Sequence, residues 1–211
     1  MIRQSTATIG VCSIVAKYQN GAHGTMSQTG SLQPPHTPSA WVERFAGQVP
    51  TASRVLDVAC GAGRHTRLFL DRGNSVTSID RDLSRLNDIC SERLVRIEVD
   101  LETGTSWPRG GERFAGVIVT NYLYRPMLQD LVASIASGGL LIYETFAQGN
   151  EQFGKPINPN FLLRPGELLN LVHGTLQVIA YENITVTQPK PARIQRICAY
   201  REPTWRCFRS H

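Results

Sequence analysis

The stretch VLDVACGAGRHTRLFLDRGNSVTSIDRD, Val55 to Asp82, constrains the fold more than any other part of the chain. An apolar run enters the bend Cys60, Gly61, Ala62 and Gly63, and a helix-forming segment follows at once. Small residues at such a bend let a ligand approach the backbone closely. A strand-to-helix crevice of this kind opens at the carboxyl end of a sheet, where open α/β folds bind ligands. After one helix and one strand the chain returns to Asp80. That spacing, roughly twenty residues, is what a carboxylate needs to accept hydrogen bonds from ribose hydroxyls.

Around this stretch, short β-rich runs alternate with amphipathic segments. Thr37 or Ser39 can cap a first helix, with Pro38 tolerated in its opening turn and Trp41 and Phe45 on one face. Strands are expected over 54–59, 75–80, 95–99, 116–121, 140–146, 176–187 and 193–201. Helices are expected over 64–72, 83–92 and 165–174. Another should start near Pro126, because Leu128, Leu131, Val132 and Ile135 recur at helical spacing, and Gly138 and Gly139 should end it. Parallel neighbours need a crossover, so the alternation implies a mostly parallel sheet covered on both faces. The last two strands are joined only by a turn containing Pro189 and Pro191 and must be antiparallel neighbours. The expected fold is α/β: a Rossmann-like, doubly wound, mostly parallel seven-stranded sheet with an antiparallel C-terminal strand pair.

The length, 211 residues, suits a single core. Residues 1–38 read as an extension and linker and 39–211 as the domain. The run Ile9 to Ala16, flanked by Arg3 and Lys17, resembles a weak signal peptide; alternatively, translation starts at Met26. No stretch approaches the apolar length of a membrane span. The net charge of +5 resides in Gln188–His211, which holds Lys190, Arg193, Arg196, Arg201, Arg206 and Arg209 against Glu202 alone. No basic stripe or aromatic platform lies elsewhere, so this segment reads as a solvated tail rather than a nucleic-acid surface. Cys12, Cys60, Cys90, Cys198 and Cys207 lack the CxxC spacing of a metal site and read as thiols of a reducing, cytoplasmic compartment. No feature fixes an oligomeric state.

Taken alone, the bend and Asp80 fit a dinucleotide site as well as a methyl-donor site. Two features separate them. The dinucleotide fingerprint GxGxxG is broken, because Gly61 and Gly63 are followed by Arg64, His65 and Thr66. Asp57 also stands inside the first strand, where its charge would repel a pyrophosphate and favour the ammonium and sulfonium of S-adenosylmethionine. The segment resembles motif I of class I S-adenosylmethionine-dependent methyltransferases, an acidic residue followed by alternating glycines. Asp57, Gly61 and Gly63 match, and Ala59 replaces the first glycine. The order of elements is most similar to the small bacterial branch grouped with tellurite-resistance and thiopurine-type enzymes.

That resemblance implies a cofactor, S-adenosylmethionine, cradled by Asp57, Ala59, Cys60, Gly61 and Gly63. It also implies that Asp80, with Arg81 beside it, holds the ribose, that Asp100 and Leu101 meet the adenine, and that Asn121 lies near the methionine portion. It implies a small-molecule methyl acceptor. His65, in the first helical turn, reads as a polar contact to the cofactor, a surface residue or a proton carrier. The segment NYLYRP supplies acceptor-side candidates: Tyr122 and Tyr124 as pocket walls and Arg125 for an acidic group. It lacks the Asn-Pro-Pro-aromatic signature of enzymes that methylate base amines. No catalytic base stands out, and positioning alone can carry methyl transfer. Glu144, in a buried strand, needs a partner. The long loop Gln148 to Phe161 is expected to act as a lid. Two other readings stay open: an RNA or protein methyltransferase docking through the basic tail, and a cofactor-binding module without catalysis.

Overall fold

The computed structural model describes residues 37–104 and 106–203. The apolar run Ile9 to Ala16, most of the linker, and the tail from residue 204 onward lie outside the described residues.

Seven strands form one sheet: β1 Arg54–Val58, β2 Ser75–Asp80, β3 Leu94–Glu98, β4 Phe114–Thr120, β5 Ile135–Phe146, β6 Gln177–Val186 and β7 Ala192–Tyr200. Their order is β3-β2-β1-β4-β5-β7-β6. The first five are mutually parallel, and β7 runs antiparallel to both β5 and β6. Among the described residues four α-helices accompany them: α1 Ala40–Ala46, α2 Arg64–Asp71, α3 Leu128–Ala133 and α4 Glu167–Val172.

Strand alternation explains why both faces are covered. Val55, Ile118 and Ile142 pack with Trp41 and Phe45 of α1 and Phe69 of α2. Their neighbours Leu56, Val117 and Leu141 pack on the opposite face with Leu131 of α3 and Leu168 and Leu171 of α4. Ser39 is the cap of α1, its hydroxyl accepting from the Trp41 N–H.

Two expected helices are corrected. Over 83–92 only Ser84–Leu86 makes a short 3-10 turn. The Arg96 guanidinium of β3 donates to the carbonyls of Leu86 and Ile89, acceptors that a helical ladder would need. Leu86 and Ile89 are then held against Gly63. The helix after Pro126 stops at Ala133, after a 3-10 turn at Arg125–Met127. Ile135 begins β5 opposite Phe114, and Gly138 and Gly139 lie within that strand instead of ending a helix. At Gly139 a side chain would meet the Phe114 carbonyl at 2.7 Å.

The basic tail is corrected in part as well. Arg193 and Arg196 belong to β7. Arg196 pairs with Glu144 and Glu182, and Arg201 donates to the carbonyls of Val132 and Ile135. Both guanidiniums are therefore committed inside the domain rather than solvated, which weakens the docking reading. Among the described residues no helix is long and apolar enough to cross a membrane.

Candidate active site

The carboxyl ends of β1 and β4 both turn through left-handed backbone. Ala59 has φ 52° and Asn121 has φ 54°. Gly61 and Gly63 follow Ala59 with φ 55° and 72°. Alanine reaches this region at a cost of roughly 1 kcal/mol, so the residue in place of the first glycine keeps the bend under mild strain. The Gly61 N–H donates to Asp80 Oδ2 at 2.8 Å, and the Asp82 N–H donates to Oδ1 at 3.2 Å. The carboxylate at the end of β2 is thereby fixed facing the bend. Nothing lies within 4 Å of where a Gly61 side chain would start. Gly63 differs, since a side chain there would overlap Leu86 Cδ2.

These strand ends border a crevice of about 460 Å³, within the size range of small-molecule sites. Of the residues singled out in the sequence, Ala59, Asp80, Arg81, Asp100, Leu101, Asn121 and Tyr122 line it. Sequence reasoning missed Glu102, Thr145 and Phe146, which line it as well. Their signal was positional: Glu102 lies two residues beyond Asp100, and the other two close β5. The long loop reaches the crevice through Pro156 and Phe161. Buried Asn150 ties that loop down, accepting from the Arg193 N–H and donating to the carbonyls of Gly154 and Pro156.

The remaining candidates lie elsewhere. Asp57 is 2% exposed, buried under α2, where the Thr66 hydroxyl donates to it at 2.7 Å. Burial raises its pKa to about 6 against the opposing hydrogen bond. Cys60 is buried, and burial pushes its thiol far above the usual range, so it remains protonated. His65 is 1% exposed rather than at the surface, and Nε2 accepts from the Ser39 N–H at 3.1 Å. Burial, then the Arg64 charge, lowers its pKa to about 3, so it is a neutral acceptor and not a proton carrier at neutral pH.

Ser39 links His65 to Glu144, whose partners are the Ser39 hydroxyl at 2.7 Å and Arg196 at 3.0 Å. Glu144 thus has its partners inside the fold. Arg125 was expected to bind an acidic group. Its Nε and Nη2 instead clasp Glu167, and its other donors reach the carbonyls of Asn160 and Leu162. Tyr124 lines a second cavity beside the crevice. Tyr122 is fixed through its carbonyl, which accepts from buried Tyr143 at 2.8 Å. Burial, then the charges of Glu102 and Asp100, keep the Tyr122 phenol protonated.

The titrations of Asp57 and His65 oppose one another. Folding favours protonated Asp57, a contribution present below pH 3.8 and lost as pH rises through about 6. Folding favours neutral His65, a contribution present above pH 6.5 and lost as pH falls toward about 3. Asp57→Asn removes the first effect. That variant is expected to lose stability from pH 6 to pH 4 more steeply than wild type, by up to about 1.4 kcal/mol per pH unit. Urea titrations at stepped pH check this, and parallel slopes would contradict it.

The strand order, the reversed strand inserted beside β5, and the crevice at the ends of β1, β2 and β4 define the fold of S-adenosylmethionine-dependent methyltransferases. Among solved structures the chain is similar to TehB from Haemophilus influenzae, with 14% identity and a TM-score of 0.60 over 77% of this chain and 61% of that one. It is also similar to the 1,6-didemethyltoxoflavin-N1-methyltransferase of Burkholderia thailandensis, which holds 1,6-didemethyltoxoflavin and S-adenosylhomocysteine, with 17% identity and a TM-score of 0.58 over 77% and 76% of the two chains. The N-methyltransferase NodS from Bradyrhizobium japonicum WM9 matches with 15% identity and a TM-score of 0.58 over 77% and 92%. At these identities the likeness is one of fold. No protein-family model and no curated protein matches the sequence.

Proposed function

We propose that the chain is a methyltransferase that binds S-adenosylmethionine in this crevice and methylates a small molecule. The observation that carries this reading is the Asp80 carboxylate, held by the Gly61 N–H opposite an open glycine bend. A ribose diol needs such an oriented acceptor pair, and the rest of a nucleoside needs the close backbone. Asp100 and Leu101 suit the adenine, and Ala59 and Asn121, at the ends of β1 and β4, suit the methionine portion. Asp57, Cys60, Gly63 and His65 act one layer back, shaping the bend. When bound, the cofactor supplies an activated methyl group. The protein's work is to align the acceptor and exclude water. Cys60 and Cys198 are buried thiols, which suits the reducing cytoplasm.

The loop that contributes Pro156 and Phe161 closes the acceptor side. Deleting residues 151–158 is expected to leave S-adenosylmethionine affinity within about threefold and to lower its conversion to S-adenosylhomocysteine by about tenfold or more. Calorimetry and product assay on the same preparation check the two halves. Undiminished turnover would show that the loop is not a lid.

A further inference from the structure

Resting on that reading, we propose that the acceptor is an amine carried on an aromatic or apolar body, with its nitrogen directed at Glu102. The main crevice adjoins a second cavity of about 350 Å³, and the two share Glu102, Leu123 and Phe161. Tyr124 and Pro126 contribute further walls to the second cavity. Its surface is therefore largely aromatic and aliphatic, the lining that binds a ring by burial and stacking.

The charge of this double cavity decides what the ring carries. Arg125 is the cation lining the second cavity, and four of the five N–H donors of its guanidinium are taken by the two Glu167 oxygens and two backbone carbonyls. It has little left to offer an acidic ligand. Glu102 lies where the cavities meet, and Asp100 lines the main crevice nearby. Arg81, the cation of the main crevice, stands beside Asp80 at the end of β2. At the junction itself a carboxylate ligand would meet Glu102 with Arg125 already engaged, whereas an amine would be attracted.

The same charge suits the reaction. The ammonium that binds first gives its proton to solvent water, and the lone pair of the resulting neutral amine forms the new N–C bond while the C–S electrons return to sulfur. A neutral thioether and an N-methylammonium result, with no other reactant needed. Positive charge moves from sulfur to nitrogen, and a nitrogen directed at Glu102 carries that charge beside a carboxylate.

The test uses phenethylamine and phenylacetate, a matched pair differing in charge. Binding to the full chain is read by ligand-observed NMR with and without S-adenosylhomocysteine, and methyl transfer by product assay. Wild type should bind the amine at least about fivefold more tightly than the acid. Glu102→Gln should abolish most of that preference and Glu102→Lys should reverse it. Phe161→Ala should weaken both probes alike. Equal or reversed preference in wild type, or a preference that survives Glu102→Lys, would overturn the proposal. Should the amine preference hold while S-adenosylhomocysteine fails to bind, the methyl-donor reading falls and the charge selectivity stands.

Discussion

Asp80→Ala is expected to weaken S-adenosylmethionine binding about a hundredfold while leaving the chain folded. A carboxylate bridging two ribose hydroxyls makes two charge-assisted hydrogen bonds, together worth roughly 3 kcal/mol, and 1.4 kcal/mol is about a factor of ten in affinity. The loss extends beyond the ligand contacts. Asp80 also accepts the Gly61 and Asp82 N–H groups, so its removal loosens the bend that lies against the ligand. Asp80→Asn separates the two effects. The amide oxygen can still accept one hydrogen bond without the charge, so a loss of about tenfold is expected. Calorimetric titration of both variants checks the order, and an Asp80→Ala protein that binds like wild type would contradict it.

Trp41→Ala is expected to cost about 4 kcal/mol of folding stability. Trp41 is 1% exposed and is among the largest fully buried side chains. Its indole N–H donates to the Ile197 carbonyl at 3.2 Å, its ring meets Phe45 edge-on at 4.8 Å, and Arg196 stacks over it at 4.5 Å. Truncation opens a cavity between α1 and β7 and removes the cation–π contact of a guanidinium that also pairs with Glu144 and Glu182. Domains of this kind are stable by only about 5–15 kcal/mol, so the effect is a large share of the total. Trp41→Phe keeps most of the volume and should lose about half as much. Urea unfolding reads both, and a loss below about 1 kcal/mol for Trp41→Ala would contradict the packing described.

The parts of the fold legible in the sequence were those set by local pattern. The run Val55 to Val58, the bend at Gly61 and Gly63, and the return to Asp80 fix β1, α2 and β2 without reference to anything distant. The closing antiparallel pair was legible because the turn between its strands is too short for a crossover. Errors arose where a distant partner decided the outcome. Arg96 claims two carbonyls ten and seven residues upstream and so displaces a helix. Ile135 fits the helical spacing of Leu128 and Leu131, yet pairing with Phe114 draws it into β5.

The site followed the same rule. Asp80, Asp100 and Asn121 stand at or just beyond strand ends, which periodicity locates, and they line one crevice. Arg125 looked available because Glu167, its partner 42 residues away, cannot be inferred from spacing. Asp57 looked like a ligand contact because its strand position was legible and its burial beneath Thr66 was not. Glu102, Pro156 and Phe161 come from loops of no regular period, and only the folded sheet places them on one cavity.

Isothermal titration of the wild-type chain with S-adenosylhomocysteine, run beside NAD under identical conditions, separates a methyl-donor crevice from a dinucleotide site. Saturable one-to-one binding of S-adenosylhomocysteine is expected, with no measurable heat from NAD. Binding of NAD together with no response to S-adenosylhomocysteine would contradict it.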